Sequence, residues 1–360
     1  GSEMCIRDRY WNTTKDLLMA VPVDNTTGYS YQFQNFGKTS NRGIELSVNV
    51  DVINKGDFRF NVGAIYNYNR NKLDELPNAD QYLYSSYWGS SSLVPTNDYM
   101  FVEGKAIGLV RGFVSEGYYT VDDFNYTNGQ YVLKEGVPDI TKALTATYMH
   151  PYDLPSGQTA FPGAAKFRDV DESGTVDLDD ATCLGEVMPR HTGSFQLNFN
   201  YKNFDLSTNF NWTAGGKIYN VAAMINASGQ EFDGIGAQRA SWVADAFKVY
   251  NVNAAGDLYA VTNPDELRAL NANAKYHLPY HQSGITSSEW LEDGSYLRLQ
   301  TLTLGYTLPK NLLAKVKIDK VRLYLTATNL FTITGYSGID PEVNATPTGQ
   351  SGFYLSLIHI

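Results

Sequence analysis

The sequence has few cysteines, few charged side chains and no long apolar run. Only two of its 360 residues are cysteine, so no disulfide framework can hold the fold together. No stretch approaches the ~18 consecutive apolar residues of a transmembrane helix, which excludes a helical membrane protein. Charged residues make up 18% of the chain and the net charge is −10. A nucleic-acid partner is not expected, because phosphate binding needs a basic patch.

The dominant pattern of the sequence is an alternation of apolar and polar residues with the two-residue period of a β-strand. Aromatic residues reach 13%, with 26 tyrosines, a composition that favours strands. Apolar and polar residues alternate over residues 44–53, 58–71, 194–201 and 204–212, and again near the end. The apolar phase shifts between Leu299 and Leu302, which predicts a β-bulge near Gln300.

Strand length and polarity separate two all-β architectures. The alternating segments run for about 10 to 14 residues, longer than the ~5 to 6 of globular strands and long enough for the ~9 to 11 of membrane strands. Their second face is rich in Asn, Asp and Ser, and aromatics such as Tyr66, Tyr68, Trp212 and Phe331 lie toward strand ends. The pattern favours an antiparallel up-and-down transmembrane β-barrel over a water-soluble sandwich. The lipid-facing residues are then expected to include Val48, Phe60, Phe199 and Leu206.

The predicted connections alternate between short and long. The short ones are "NKGD", "KN" and the moderate "KNLLAKVKID", and a short helix is predicted within residues 235–247. The long ones, at about 74–97, 119–190 and 217–290, are rich in Gly, Ser, Asn and aromatics. This alternation is typical of an outer-membrane barrel, with the long loops extracellular.

One long connection carries an acidic loop, "DVDESGTVDLDD", from Asp169 to Asp180. Its spacing is that of an EF-hand calcium loop with Gly174 in sixth place, but no amphipathic helix flanks it. The side chains of Asp169, Asp171, Ser173, Asp177 and Asp180, with the Thr175 carbonyl, are the candidate ligands of a structural Ca²⁺. The alternative is a solvated acidic turn without metal, and the spacing leaves both open.

Five stretches in one order resemble the SusC/RagA-like TonB-linked outer-membrane proteins of Bacteroidetes. They are "NFGKTSNRGIELSV", "VEGKAIGLVRGFVSEGYY", "FRDVDESGTVDLDDATCLGEVMPRHTGSF", "WLEDGSYLRLQTLTLGYTLP" and "LYLTATNLFTITGYSGIDPE". The resemblance implies the C-terminal part of a plugged, 22-stranded barrel in the outer membrane of a Gram-negative, Bacteroidetes-like cell. It implies as partners a SusD-like surface lipoprotein, the TonB complex, outer-membrane lipid and an oligosaccharide or peptide substrate.

The ends of the sequence depart from this family. Residues 1–9 and 355–360 look like translated sequencing adapter, so they are expected to be non-native tails around a natural segment, 10–354. The family's N-terminal extension, TonB box, plug and last strand have no counterpart in this sequence. The fragment is therefore expected to be part of a barrel, without the earlier strands.

No residue grouping predicts an enzyme. His277 and His281 have helical spacing, but Pro279 lies between them and a solvated loop is expected. Loop aromatics such as Tyr119 and Trp290 are more often packed within a loop than held out for a sugar or a lid protein.

Two functions remain open from the sequence. The first is TonB-dependent uptake of glycan or peptide fragments, with this chain in the barrel wall and external loops. The second is a secreted, calcium-stabilised glycan-binding β-protein.

Overall fold

The computed structural model describes residues 3–16, 18–22, 26, 28–29, 31–35, 37–76, 81–85, 94–144, 150–220, 222–224, 240–278, 285–314 and 318–342. The strands of the first half are β1 (Glu3–Lys15), β2 (Leu18–Pro22), β3 (Tyr31–Asn35), β4 (Lys38–Lys55), β5 (Phe58–Glu75), β6 (Gln81–Tyr84), β7 (Tyr99–Val102), β8 (Leu109–Gly112), β9 (Ser115–Tyr118), β10 (Phe124–Thr127), β11 (Gln130–Leu133) and β12 (Asp139–Ile140). Those of the second half are β13 (Ala165–Phe167), β14 (Thr175–Val176), β15 (Thr182–Glu186), β16 (His191–Tyr201), β17 (Phe204–Ala214), β18 (Lys217–Tyr219), β19 (Tyr250–Val252), β20 (Leu258–Ala260), β21 (Leu291–Asp293), β22 (Tyr296–Thr307) and β23 (Arg322–Thr334).

The helices are short. They are α1 (Ala240–Asp245), α2 (Pro264–Leu270) and α3 (Lys310–Leu313), with 3₁₀ turns at Val121–Asp123, Leu178–Asp180 and Ser288–Trp290. The first lies inside the predicted helical stretch 235–247, of which residues 235–239 fall outside the described residues. No helix among the described residues has the length and apolarity to cross a membrane.

Seven long strands form one antiparallel sheet, here called the wall. Its order is β1-β4-β5-β16-β17-β22-β23, which follows the order of the chain. The wall strands have 11 to 18 residues each. The predicted all-β, up-and-down meander is confirmed, and the wall is part of a β-barrel.

The register of the wall collects apolar side chains on one face. Phe199 pairs with Phe60 on one side and with Leu206 on the other, and the two phenyl rings stack at 4.3 Å. Val48 is 38% exposed, and none of these four residues belongs to a buried cluster of the described chain. That these four residues face lipid stays a prediction; the register shows that they share one face of the wall.

Bulges keep the apolar rows aligned across the wall. Asn209 pairs with Thr301 and Phe210 with Leu299, so Gln300 is the extra residue, as the phase shift predicts. Its side-chain oxygen accepts hydrogen bonds from Asn209 Nδ2 (3.1 Å) and Asn211 Nδ2 (2.8 Å) on the polar face. A second irregularity, which the alternation alone did not predict, lies between Asp51 and Ile53.

Two rows of aromatic side chains bound the apolar face. The row at the short-turn end, here called the inner row, consists of Phe58, Tyr201, Phe204 and Tyr306, which are successive cross-strand partners. The row at the other end, here called the outer row, consists of Tyr66, Tyr68, His191 and Trp212. Phe58 and Tyr68 are ten residues apart in β5, which is ~33 Å along a strand. With a tilt of ~40° the rows would be separated by ~25 Å, the height of the apolar band of membrane barrels.

Short and long connections lie at opposite ends of the wall. Residues 56–57 and 202–203 are tight turns, and α3 lies in the third short connection, between β22 and β23. Gly56 has φ +58° and Lys202 has φ +52°, so both turns use the left-handed region. At the other end, residues 76–190 and 215–295 join wall strands. The stretch between the predicted loops 74–97 and 119–190 belongs to the same connection, since β7, β8 and β9 pair in smaller sheets.

These two long connections fold together into a unit with its own core, here called the cap. Parallel bridges join Val94 to Ile285 and Phe113 to Ser287 across the two connections. The fully buried large side chains of its main core include Tyr119, Tyr131, Phe113, Phe161, Ile140, Leu144, Val176, Val261 and Leu267. The external segments are therefore a packed structure rather than separate loops.

The first half of β1 does not continue the alternation of its neighbour. Arg7 and Arg9 pair with Leu46 and Ile44 and so lie on the apolar face of the wall. Ile6 pairs with Ser47 on the polar face. That residues 1–9 and 355–360 are non-native tails stays a prediction; residues 355–360 lie outside the described residues.

Candidate functional site: the acidic loop of the cap

The acidic loop lies in the cap between β13 and β15. Its middle, β14, pairs in parallel with β12, so the loop is attached to the cap along one edge. Asp139 N donates to Gly174 O (3.2 Å) and Thr141 N donates to Val176 O (3.0 Å). Val176 is fully buried in the cap core, so the loop is anchored on an apolar side chain.

The turn geometry of the loop explains its sixth-position glycine. Gly174 has φ +88°, a region that side chains with a Cβ rarely adopt. Glu172, two residues earlier, also lies in the left-handed region, with φ +59°. The sequence predicted the first of these residues and missed the second.

Backbone amides hold the carboxylates of the loop. Asp169 accepts hydrogen bonds from Ser173 N (3.1 Å) and Gly174 N (2.7 Å). Asp171 Oδ1 accepts one from Ser173 N at 3.0 Å. Hydrogen bonding by Ser173 holds the pKa of the Asp171 carboxyl below its ordinary value. These contacts favour the ionised form of the Asp171 carboxyl and give the loop one defined shape.

Asp180 is the buried end of the site. The residue is 0% exposed and accepts hydrogen bonds from Val170 N (2.6 Å), Asp171 N (3.3 Å) and Asp177 N (2.8 Å). It also ends the 3₁₀ turn Leu178–Asp180, which Asp177 caps in return by accepting from Asp179 N (2.8 Å). A short Asp with both oxygens bonded to the backbone therefore stands where an EF-hand has its long bidentate Glu.

The structure brings together three of the six predicted ligands. Asp169, Asp171 and Asp180 each offer a carboxylate oxygen, and these oxygens all lie within 4.8 Å of one another. Asp177 is not in this group, and Ser173 Oγ donates to Thr175 O (3.0 Å). Oxygen donors of this kind suit a hard cation, which takes six to eight oxygens in the case of Ca²⁺. The three converging oxygens are fewer than this number.

Arg111 ties the loop to the neighbouring cap sheet, a role that the sequence did not indicate. Its guanidinium donates to Leu178 O (3.1 Å) and to Asn97 O (3.3 Å). Burial lowers the pKa of Arg111, while the nearby Asp179 carboxylate acts in the opposite direction. No sequence pattern predicts this contact, because 67 residues separate Arg111 from Leu178.

Other residues that the sequence analysis named are buried in the cap. His277 is 1% exposed, with Nδ1 2.9 Å from Leu278 O, so the expected solvated loop is wrong at this residue. Tyr119 and Trp290 are buried, as expected for aromatics packed within loops. His281 lies outside the described residues.

Known proteins resemble this chain over almost its whole length. No family model matches the sequence. TonB-dependent receptor P3 of Formosa agariphila is 30% identical over 337 residues, covering 94% of this chain and 28% of the relative. TonB-dependent receptor SusC of Bacteroides thetaiotaomicron is 25% identical, with the same two coverages. The chain is a relative of the SusC-type TonB-dependent receptors. It spans about 28% of the length of these receptors.

A solved structure shares the fold of this chain. The RagAB peptide transporter superposes with a TM-score of 0.63 at 22% identity, covering 94% of this chain and 31% of that one. The resemblance seen in the five sequence stretches is thus confirmed, and so is the barrel fold class. The relatives are named as receptors, and the protein that shares the fold is named as a transporter.

Proposed function

We propose that this chain is part of the wall and external cap of an outer-membrane importer that takes up glycan or peptide fragments with energy from TonB. The apolar face of the wall, bounded by the inner and outer aromatic rows, is the observation that carries the proposal. Its exposure suits a lipid environment, as does the height of ~25 Å that it would have at the strand tilt of membrane barrels. No catalytic step is part of this function.

The partners follow from the same assignment. A SusD-like surface lipoprotein would sit over the cap, and the TonB complex would act through a region of the parent protein outside this sequence. RagAB, which shares the fold, is a peptide transporter, and this supports peptides as one substrate class. The kinship with SusC-type receptors supports import in general and leaves both glycan and peptide as substrate classes.

Fractionation of the full-length parent protein tests the proposal. We expect the protein to sediment with outer membranes and to resist extraction by alkaline carbonate, as integral barrels do. A secreted, calcium-stabilised glycan-binding protein would appear in the supernatant instead. A soluble periplasmic protein and a known outer-membrane barrel from the same cells are the matched controls. Recovery of the parent protein in the supernatant would overturn the membrane assignment.

Within this function we propose a structural Ca²⁺ for the acidic loop. Asp169, Asp171 and Asp180 would supply three ligands, and a rearrangement of the loop would bring in Ser173, Asp177 and the Thr175 carbonyl as others. Carboxylates ~5 Å apart repel one another by under ~1 kcal/mol per pair in water, and by several-fold more at an effective dielectric near 20. A bound cation would remove this repulsion and hold one external surface of the cap in a fixed shape.

Limited proteolysis of the full-length protein tests the calcium site. Cleavage within the loop should be slower with Ca²⁺ than with chelator, and Asp169→Asn with Asp171→Asn should abolish the difference. Glu135→Gln, an exposed acidic residue elsewhere in the cap, is the control and should leave the difference intact. Equal cleavage rates with calcium and with chelator would remove calcium from the proposal.

A further inference from the structure

Two arginines stand directly beyond the outer aromatic row, on the same face of the wall. Arg42 of β4 and Arg70 of β5 are direct partners in the sheet, and the next pair on that face is Ile44 with Tyr68. No register shift separates the two pairs, so all four side chains project from one face. Arg42 and Arg70 both lie at least partly open to solvent.

The pair is an accumulation of uncompensated positive charge. Like charges directly opposite each other destabilise a strand pair. Neither guanidinium makes an ion pair with a described carboxylate, whereas three other cations near this end of the wall do. Those pairs are Lys38 with Glu75 (3.0 Å), Lys72 with Asp74 (3.5 Å) and Arg190 with Glu186 (2.7 Å).

One of the two arginines is also oriented. The guanidinium carbon of Arg42 lies 3.8 Å from the centre of a Trp11 ring, in a cation–π contact. This contact orients the group and leaves its charge in place. A chain with a net charge of −10 thus keeps two facing, unneutralised guanidinium groups at one edge of its apolar face.

The position along the strand matches the depth of lipid headgroups. Aromatic belts of membrane proteins lie at the membrane–water interface. Arg70 follows Tyr68 by two residues, or ~7 Å along the strand. Its side chain therefore reaches the level where phosphates of a lipid headgroup lie, on the side of the wall that faces lipid and not the lumen.

We propose that Arg42 and Arg70 together bind a phosphate group of a phosphorylated lipid in the outer leaflet. The inference rests on the proposed function, because it requires the apolar face of the wall to contact lipid. Guanidinium groups present paired donors that match phosphate oxygens bidentately. Cβ atoms of directly paired residues are ~5 Å apart, so one phosphate can accept from both side chains and relieve their repulsion.

The test uses the full-length parent protein in phosphatidylcholine nanodiscs with and without lipid A, a diphosphorylated glycolipid. We expect lipid A to raise the thermal unfolding midpoint, and Arg42→Gln with Arg70→Gln to lose more than half of that rise. Arg42→Lys with Arg70→Lys keeps the charge without the paired donors and should lose a smaller part. Arg59→Gln is the matched control, since Arg59 is exposed on the polar face near the short turns.

Each outcome bears on the inference separately from the proposed function. An equal rise in wild type and double Gln variant overturns the phosphate site while the protein remains a membrane barrel. The same rise with inorganic phosphate in nanodiscs lacking lipid A overturns the lipid as the source. If the double Gln variant does not fold, native mass spectrometry of Arg70→Gln takes its place. We expect this variant to retain fewer lipid A molecules than wild type. Equal retention would overturn the proposal. A parent protein that does not enter nanodiscs would overturn the proposed function first.

Discussion

The wall and the cap use the same kinds of apolar residue in opposite ways. In the wall, Ile44 is 44% exposed and Leu304 is 46% exposed, although both lie in long regular strands. In the cap, Phe113 and Tyr119 are 0% exposed, although each lies directly after a strand of only four residues. Regular secondary structure and burial are therefore separated in this molecule. The apolar face of the wall is exposed to its surroundings, whereas the apolar side chains of the cap pack against one another.

The difference shows where each region obtains its stability. Burial of a large apolar side chain away from water contributes ~1.5–3 kcal/mol, and the cap collects many such side chains in one cluster. The wall strands instead complete their backbone hydrogen bonds with one another, and their outer side chains gain by leaving water only when lipid covers them. Substitutions in the two regions should accordingly differ in size and in their dependence on the membrane.

The largest effect is expected from the cap core. Phe113→Ala should cost ~3–5 kcal/mol, because it leaves a cavity among fully buried neighbours. Hydrogen exchange of the full-length protein should show the loss across the cap and not in the wall. Leu325→Ala, in an exposed wall position, is the control. Equal losses for the two variants would break the distinction between the regions.

The next effect belongs to the apolar face of the wall. Val48→Arg should cost ~2–4 kcal/mol, because its row lies midway between the two aromatic rows and so near the bilayer midplane. Phe199→Arg should cost less, since Phe199 lies two residues from Tyr201 of the inner row. Denaturant titration of the parent protein in bilayers measures both changes. The control Asn49→Arg on the polar face should be nearly neutral, and a cost as large as that of Val48→Arg would reverse the assignment of the two faces.

A smaller effect is expected at the buried end of the acidic loop. Asp180→Asn should destabilise the loop by ~1–3 kcal/mol, since the amide nitrogen cannot accept hydrogen bonds that the carboxylate now takes from three backbone amides. Faster hydrogen exchange at the Val170 and Asp177 backbone amides would show this destabilisation. Asp179→Asn, at an exposed neighbouring position, should leave those amides unchanged. Unchanged exchange in Asp180→Asn would mean that the loop is held by its other contacts.

The smallest effect is a pH dependence of the cap. Burial alone raises the pKa of Asp123, but hydrogen bonds from Lys166 and Thr120 outweigh it and hold the pKa below the ordinary 3.8. The contribution of a carboxyl with a lowered pKa is present above its unfolded value and is lost as the pH falls through its folded value. We expect ~0.2–1 kcal/mol of cap stability to disappear below pH ~3.8.

Stability curves of the cap against pH, for wild type and Asp123→Asn, measure this contribution. The variant should lack the part of the stability decrease at low pH that comes from protonation of Asp123. Glu135→Gln, exposed and remote from Lys166 in sequence, should retain it. Identical curves for wild type and Asp123→Asn would exclude the Asp123–Lys166 pair as a source of stability.

Local patterns predicted much of the wall and part of the acidic loop. The alternation around Phe60 and Phe199 predicts their shared face, because side chains along a strand alternate between its two faces. The phase shift at Gln300 predicts its bulge for the same reason. In the loop, EF-hand spacing predicted the convergence of Asp169 and Asp171 with Asp180. It did not predict that backbone amides would occupy Asp180, since that depends on how the loop closes.

The sequence by itself determined those elements whose conformation depends on residues close together in the chain. These are the long amphipathic strands of the wall, the tight turn at residues 202–203 and the glycine turn at Gly174. Only the tertiary structure decided that the two long connections fold into one cap. The contact of Phe113 with Ser287 joins residues far apart in the chain, within short strands that carry too few residues to show a period. The same holds for the facing pair Arg42 and Arg70, because its charge is uncompensated only once the sheet register places the nearby carboxylates beside other cations.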